Sequence, residues 1–555
     1  MLIDLTSELR RIVQGEVKDD PKTLNLYSHD ASLFEIRPQV VVFPQNKKDI
    51  QAVVKFVAKH KKEYPDLGIT VRSGGTDMSG GAIGESIILD VSTHINRIKK
   101  IATNKDGGYA VIEPGVFYRN FEKETLKKNL IMPAFPASRE LCTVGGMVAN
   151  NAGGENTLSQ GKVEDYVDGV KMILNDGEEY TFTSVSKKEL KNKLKLKGLE
   201  GDIYRKIFRL VKSNEALLRK AKPRVSKNSA GYYLWNVWDG EKFNICKLLV
   251  GSQGTLGIIT EIKMRLVRPE RYSKMLVIFL KDLRFLGKII PKILKEKPDA
   301  VESYDDHTLS IALRVLPGLV KRLGVGLMPL ALSFAPEALM TIRDGFKLPK
   351  LIILAEFGGR TAEEAKAEAR RAQQNLASLK LSTRLIKSDR EAKKYMLIRR
   401  ESFNLLRQKV RKKQTAPFID DIIVRPEYLP KFWPRLHKIL DKKEYNLLYT
   451  IAGHVGDGNF HIIPLMDLSK QKNREMIPRI TDEVYKLVLE FKGSITAEHN
   501  DGIIRAPYLR QMFGTKVYKL FEETKEILDP QNIFNPGKKI GATKKYVFDH
   551  MKTSG

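Results

Sequence analysis

The sequence predicts an α+β protein with more than one domain, and three observations carry that prediction. The chain has 555 residues, more than one hydrophobic core normally serves. Its first half opens on a strand–helix–strand pattern followed by several β-rich stretches. Beyond Pro269 the texture changes to longer helices separated by strands.

Taken in order, the N-terminus reads as a short helical segment. VVVF, from Val40 to Phe43, reads as a strand, and the helix after it keeps its apolar period at Val53, Val54, Phe56 and Val57. Ile69 and Val71 alternate as strand residues do before the chain enters glycines, which completes a βαβ-like unit. SIILDVS and YAVIEPGV are further strand candidates, and VDGVKMILNDGEEYTF carries the hairpin signal Asn175-Asp176-Gly177. A Lys-rich helical zone covers residues 187–222, after which strands return in KLLVGSQGTLGIITEIKMRLV. Past Pro269, where a domain boundary is expected, MLVIFL, LIILAEF, DDIIVRP and LLYTIAGHVGDGNFHIIPL read as strands between helices. The sequence shows no internal repeat or low-complexity tract.

There are 96 Lys+Arg against 66 Asp+Glu, a formal charge of +30, and such a field attracts nucleic acid, anionic lipid or acidic metabolites. The basic residues form only short runs such as Lys187-Lys188 and Arg411-Lys412-Lys413, which favours solvated helix faces over a nucleic-acid-binding arm. Two cysteines, Cys142 and Cys246, cannot build a disulfide scaffold, a zinc ribbon or a Cys-ligated iron–sulfur cluster. The N-terminal MLIDLTSELRRIVQ carries acids and lacks the continuous apolar core of a secretory signal, so a cytoplasmic compartment is expected. No stretch reaches the length of a membrane span without interruption. The apolar stretch from Gly324 to Met340, with basic flanks, suits a peripheral anchor at the inner face of a membrane, a buried helix or a hydrophobic loop equally well.

Arg72-Ser73-Gly74-Gly75-Thr76-Asp77-Met78-Ser79 follows a strand, and its glycines let backbone approach a ligand and present N–H groups to phosphate oxygens. It is neither a Walker loop nor a dinucleotide fingerprint. Two further small-residue loops follow, Thr143 to Gly154 with Pro136-Ala137-Ser138 ahead of it, and Gly251 to Thr260. A hairpin turn or bulge explains any one of the three. All three in one region could wrap a large, flat, phosphate-bearing cofactor.

With Pro44 ahead of the helix, Glu113-Pro114-Gly115-Val116 after it and NIFNPGK from Asn532 to Lys538, the order of these segments resembles one flavoprotein family. That family includes respiratory D-lactate dehydrogenase, D-2-hydroxyglutarate dehydrogenase and the FAD-binding subunit of glycolate oxidase, within the vanillyl-alcohol-oxidase (PCMH-type) superfamily. The resemblance implies an N-terminal helical segment over residues 1–37, a two-subdomain FAD-binding domain over 38–269, an α+β cap with an antiparallel sheet over 270–495, and a segment over 496–555 that returns to the FAD domain. Carried over by position, Arg72, Ser73, Gly74, Gly75, Thr76, Asp77, Met78 and Ser79 form the pyrophosphate loop. Pro136, Ser138, Thr143, Gly145, Gly146, Asn150, Ala152 and Gly153 line the flavin and diphosphate, and Gly254, Gly257, Ile258 and Ile259 complete the cleft. Covalent relatives carry His where this chain has Thr76, so FAD is expected to be held noncovalently. Gln253 stands where Glu is usual, and Gln160 where Tyr is common.

The second constellation is Gly453-His454-Val455-Gly456-Asp457-Gly458-Asn459-Phe460-His461 with Thr496-Ala497-Glu498-His499-Asn500. Histidines seven apart on an uninterrupted strand face opposite ways, so a register reset is expected. A two-residue Asp457-Gly458 hairpin would make His454 and His461 directly opposed, and a glycine bulge would act similarly. His454, His461 and Glu498 make a His₂Glu set that leaves a coordination position open, as catalytic zinc sites do; the metal expected is zinc or manganese. The family places a metal and a catalytic base at these positions, which makes His499 the base that takes a hydroxyl proton while hydride leaves Cα for flavin N5. Core histidines beside a turn are the alternative. Asn500 stands where Gly is usual and fits if it adopts the left-handed conformation that Asn tolerates.

Leu397-Ile398-Arg399-Arg400-Glu401 resembles the segment whose Arg grips the substrate carboxylate, matching Arg399; an exposed salt-bridging pair is the alternative. Phe418-Ile419-Asp420-Asp421 also matches and is open to a structural reading. The resemblance implies an FAD-dependent dehydrogenase acting on a D-lactate- or glycolate-like 2-hydroxy acid, with electrons passing to a quinone, flavoprotein, cytochrome or iron–sulfur partner. Two rival readings are an alkyl-glycerone-phosphate-synthase-like flavoenzyme and a basic nucleic-acid- or membrane-binding protein without turnover.

Overall fold

The computed structural model describes residues 4–270, 272–314, 349–388, 391–399 and 413–553, with backbone alone at 311–314. The apolar stretch 324–340, Arg400 and the pair Arg411-Lys412 lie outside these residues.

Three sheets organise the chain. The first holds β1 (Glu16–Lys18), β2 (Val40–Phe43), β3 (Ile69–Arg72) and β4 (Ile87–Asp90) in the order β1-β2-β4-β3. β2 and β3 are each parallel to β4. The expected βαβ unit therefore has the right strand directions but not adjacent strands, because β4 enters between them. Asn46 caps the connecting helix Lys47–His60 by accepting from the Lys48 N–H, and Ile50, Val53, Val54 and Val57 bury its apolar stripe on the sheet.

The second sheet is antiparallel, with β5 (Ile98–Asn104), β6 (Gly107–Ile112), β7 (Val167–Ile173), β8 (Glu179–Ser186), β9 (Lys242–Asn244) and β10 (Ile258–Leu266) in the order β5-β6-β10-β7-β8-β9. The Asn-Asp-Gly signal joins β7 to β8, pairing Ile173 with Glu179. The apolar run after β9 is a helix, Cys246–Leu249, rather than the expected strand. The reason is local: the Asn244 side chain accepts the Cys246 N–H at 3.0 Å, an Asx-type turn that bends the chain out of the strand. Both cysteines are free and buried.

The third sheet holds β11 (Tyr272–Leu280), β12 (Ala300–Asp305), β13 (Leu351–Gly359), β14 (Ser382–Leu385), β15 (Gln414–Thr415), β16 (Ile422–Ile423), β17 (Leu448–His454) and β18 (Asn459–Met466). Its order is β14-β11-β13-β12-β17-β18-β15, with β16 also on β18, and its pairings are antiparallel. Both faces of β11 are buried, Leu276, Ile278 and Leu280 in one core cluster and Met275, Val277 and Phe279 in another. After the helix Leu509–Leu528 the chain returns to the first sheet: the Ile69 N–H donates to the Ile533 carbonyl at 2.8 Å and the Asn535 N–H to the Ile69 carbonyl at 2.8 Å.

Candidate active site

A cavity of about 510 Å³ lies where the three glycine-rich loops meet the third sheet, within the size range of cofactor sites. Every residue assigned to the cofactor from sequence lines it except Ser79. Asp77 turns the chain away there by accepting the N–H groups of Ser79 at 3.0 Å and Gly81 at 2.6 Å. Ser79 is buried behind the wall, its hydroxyl donating to Asp77 and accepting from the Gln253 amide at 3.0 Å. Arg72 donates to the His29 carbonyl at 2.6 Å and lies over the Tyr27 ring.

The loops are tied to each other. The Thr143 hydroxyl donates to Ser73 at 2.7 Å and accepts the Gly146 N–H, which caps the helix Val144–Asn150 at the cavity edge. Gly254 holds φ +68, and a Cβ there would have only Val71 within 4 Å, so a side chain would project toward the open cavity. Gln253 answers its departure from Glu: Nε2 donates to Ser79 while Oε1 accepts the Gly502 N–H at 2.8 Å. A carboxylate could not supply the donor. At the other departure, the Gln160 backbone carbonyl accepts from the Tyr166 hydroxyl.

The facing wall is made of charged side chains. The reset between His454 and His461 is a four-residue turn, Val455 to Gly458, that pairs His454 with Asn459 and Ala452 with His461. The histidines are therefore diagonal on one face, with ring centroids 5.2 Å apart, not directly opposed as a two-residue hairpin would make them. Gly458, at φ +74, closes the turn, and a Cβ there would fall 1.8 Å from the Val424 carbonyl oxygen.

Glu498 and His499 are placed by Asp421. One carboxylate oxygen of Asp421 accepts the Thr496 hydroxyl at 2.6 Å and the N–H groups of Ala497, Glu498 and His499, each at 2.8 Å. Three consecutive amides on one anion fix the loop. Asn500 follows at φ +66, the left-handed conformation expected of it. Its amide donates to the carbonyls of Asn150 and Gly251 and accepts from Lys539, so the side chain stitches the loop to the glycine wall.

Each imidazole rests one nitrogen on a carboxylate. His454 Nδ1 is 2.6 Å from Glu302, His461 Nδ1 is 3.1 Å from Asp420, and His499 Nδ1 is 2.7 Å from the other oxygen of Asp420. This is how metal-ligating histidines are oriented. The ligand atoms of His454, His461 and Glu498 lie within 4.8 Å of one another, so one cation can be reached by all three; Asp420, His461 and His499 form a second such group. Burial, then Lys227, holds His454 well below its ordinary value and keeps it neutral. Burial opposes the charge on Glu498, yet Lys227 and His454 hold its carboxyl well below the ordinary range. His499 differs: burial opposes its charge, but Asp420 and Asp421 outweigh it and raise the imidazole to about 9.

Two residues behind this wall escaped the sequence reading. Lys227, its side chain fully buried, bridges Glu498 at 2.6 Å and Asp457 at 3.1 Å; in a Lys-rich chain nothing marked it. Glu302 holds both His454 and Arg399, and its one signal was an acid within the otherwise apolar start of β12. Asp421, which the sequence marks as part of a family-matching segment open to a structural reading, organises the loop. Arg399 is not an exposed pair: its side chain is 7% exposed, contacts Glu302 and lies 3.2 Å from Glu155.

Residues 38–183 match the family model for the FAD binding domain, and residues 269–539 that for FAD linked oxidases, C-terminal domain. D-2-hydroxyglutarate dehydrogenase of Escherichia coli (strain K12) is 25% identical over 94% of this chain and 51% of its own length, so the chain spans about half of that relative. Glycolate oxidase subunit GlcD of Bacillus subtilis (strain 168) is 25% identical over 96% of each chain. Among solved structures, 4-ethylphenol oxidase from Gulosibacter chungangensis superposes with a TM-score of 0.67 at 17% identity, over 97% of each chain, which shows a shared fold. Matched in chain order, the two family models cover the first two glycine-rich loops and the imidazole cluster: the chain belongs to the FAD-linked oxidases, flavoproteins built on the vanillyl-alcohol-oxidase type of fold.

Proposed function

We propose that the protein is an FAD-dependent dehydrogenase that oxidises a D-lactate- or glycolate-like 2-hydroxy acid to the 2-oxo acid. The observation that carries this reading is the meeting of a glycine-walled cavity with a carboxylate-braced imidazole cluster. In this reading residues 38–269 hold FAD noncovalently, Thr76 leaving no imidazole for a covalent link there, while residues 270–495 and 496–555 supply the substrate side. When bound, the flavin supplies the hydride acceptor. The neutral ring of His454, with His461 and Glu498, suits a divalent cation such as zinc or manganese, which would lower the pKa of a substrate hydroxyl.

His499 takes the hydroxyl proton. Its Nδ1 is tied to Asp420, which orients the ring and leaves Nε2 for the substrate. A base must be neutral, and a divalent charge at the neighbouring ligand set opposes the proton that Asp420 favours. Arg399 receives the substrate carboxylate: its buried Nε has no hydrogen-bond partner, a donor that a carboxylate would satisfy. Electrons then pass to a separate acceptor, a quinone, flavoprotein, cytochrome or iron–sulfur protein. No helix among the described residues is long and apolar enough to cross a membrane.

The test is anaerobic mixing of FAD-loaded protein with the D and L forms of lactate and with glycolate. Bleaching of the flavin by the D acid and not the L acid is expected. Bound FAD that no 2-hydroxy acid reduces would overturn the reading.

A further inference from the structure

The charge at the substrate end carries an inference that rests on the hydroxy-acid reading and sharpens it. Among the described residues lining the cavity, Arg72 and Arg399 are the Lys or Arg cations, beside the carboxylates of Asp77, Glu155, Asp420 and Glu498. Arg72 belongs to the glycine wall and donates to the carbonyl of His29. Arg399 is the cation at the other end, and it sits between Glu155 and Glu302. Thr308, Thr450, Ala452 and Ile463, also on the lining, are uncharged.

Glu155 is held in place by its own backbone. Gly153 and Gly154 precede it, packed so closely that a Cβ on Gly154 would fall 2.1 Å from the Phe135 carbonyl oxygen and one on Gly153 would fall 3.4 Å from the Glu498 side chain. The carboxylate of Glu155 stands on the cavity wall, with its side chain 14% exposed and 3.2 Å from Arg399.

We infer that Glu155 is a specificity-determining residue and that the substrate is a 2-hydroxy monocarboxylic acid with a short uncharged side chain, selected against 2-hydroxy dicarboxylic acids. Among the described residues at this end, Arg399 offers one unsatisfied buried donor, which receives one carboxylate. A second carboxylate would meet Glu155, and like charges in a largely desolvated site repel strongly. Removing the charge of Glu155 relieves that repulsion and releases a guanidinium edge for the second acid group.

The experiment measures the second-order rate constant of anaerobic flavin reduction in the FAD- and metal-loaded protein. Its substrates are D-lactate, D-2-hydroxybutyrate, D-malate and D-2-hydroxyglutarate. The monocarboxylates are expected to exceed the dicarboxylates by about tenfold or more, and Glu155→Gln to narrow that ratio by about fivefold or more, mainly through a gain on D-malate. Glu155→Ala gives the same direction where Gln disturbs packing, and flavin content and Tm report whether each variant is folded. Dicarboxylates as fast as monocarboxylates in the unaltered protein, or a ratio unmoved in both folded variants, would overturn the inference and leave the hydroxy-acid reading intact. Reduction by none of the four acids would overturn that reading and this inference with it.

Discussion

The wall formed by residues 72–154 and 252–259 is largely backbone and small side chains, whereas the wall facing it is assembled from charged side chains drawn from β17, β18, the 496–500 loop and Arg399. The first wall works by what it lacks, since Cβ atoms at its glycines would meet backbone or neighbouring side chains, or enter the cavity. The second works by pairing: His454 on Glu302, His461 and His499 on Asp420, Glu498 on Lys227. A shape-built wall should fail gradually as volume is added. A charge-built wall should fail abruptly when one partner is removed, because the other is left buried and unpaired.

The sharpest way to separate the two is to remove the base. His499→Ala should lower the rate of flavin reduction about 10³-fold while the flavin stays bound; unchanged turnover would remove His499 from the mechanism. Next in size is Lys227→Met, which strands Glu498 and Asp457 in the interior. It should cost the cation-free protein about 3 kcal/mol in chemical denaturation, and added zinc or manganese should recover part of that loss. A variant as stable as the parent would show that Lys227 is not what holds the cluster.

Acidity probes the same wall more gently. The imidazole of His499 is raised from 6.5 to about 9, so the stability it adds is fully present below about pH 6.5 and is lost as pH rises through about 9. In cation-free protein this loss should reach about 3 kcal/mol, and His499→Gln should flatten it; an equal slope in the variant would trace the loss to other groups. The smallest effect belongs to the glycine wall. Gly254→Ala places a side chain at φ +68, with strain of about 1 kcal/mol, and should weaken flavin binding about fivefold while the denaturation profile of the charged wall is kept. Undiminished flavin content at limiting FAD would contradict it.

The contrast also explains what could be read from sequence. Glycines mark where backbone shape matters, and the family resemblance assigned the loops residue by residue, so nearly every residue placed on the glycine wall lines the cavity. Ser79 was the exception, because facing in or out there depends on which amides Asp77 collects. The cluster of His454, His461 and Glu498 was legible as residue types, but its geometry was not: whether two histidines stand opposed or diagonal depends on turn length, and four residues rather than two close this one. The position of β4 between β2 and β3 is a long-range pairing that periodicity does not carry. Lys227 and Glu302 are visible only once the chain is folded, since a buried charge is distinguished by its partner and both partners are remote in sequence.

The most direct test of the central claim, that the two walls share one cavity with a cofactor on one side and a cation on the other, is anomalous diffraction from crystals of FAD-loaded protein grown with manganese. The account predicts flavin density against the glycine loops and a single anomalous peak bounded by His454, His461 and Glu498, with His499 turned toward the flavin. A peak elsewhere, or flavin lying away from those loops, would contradict it.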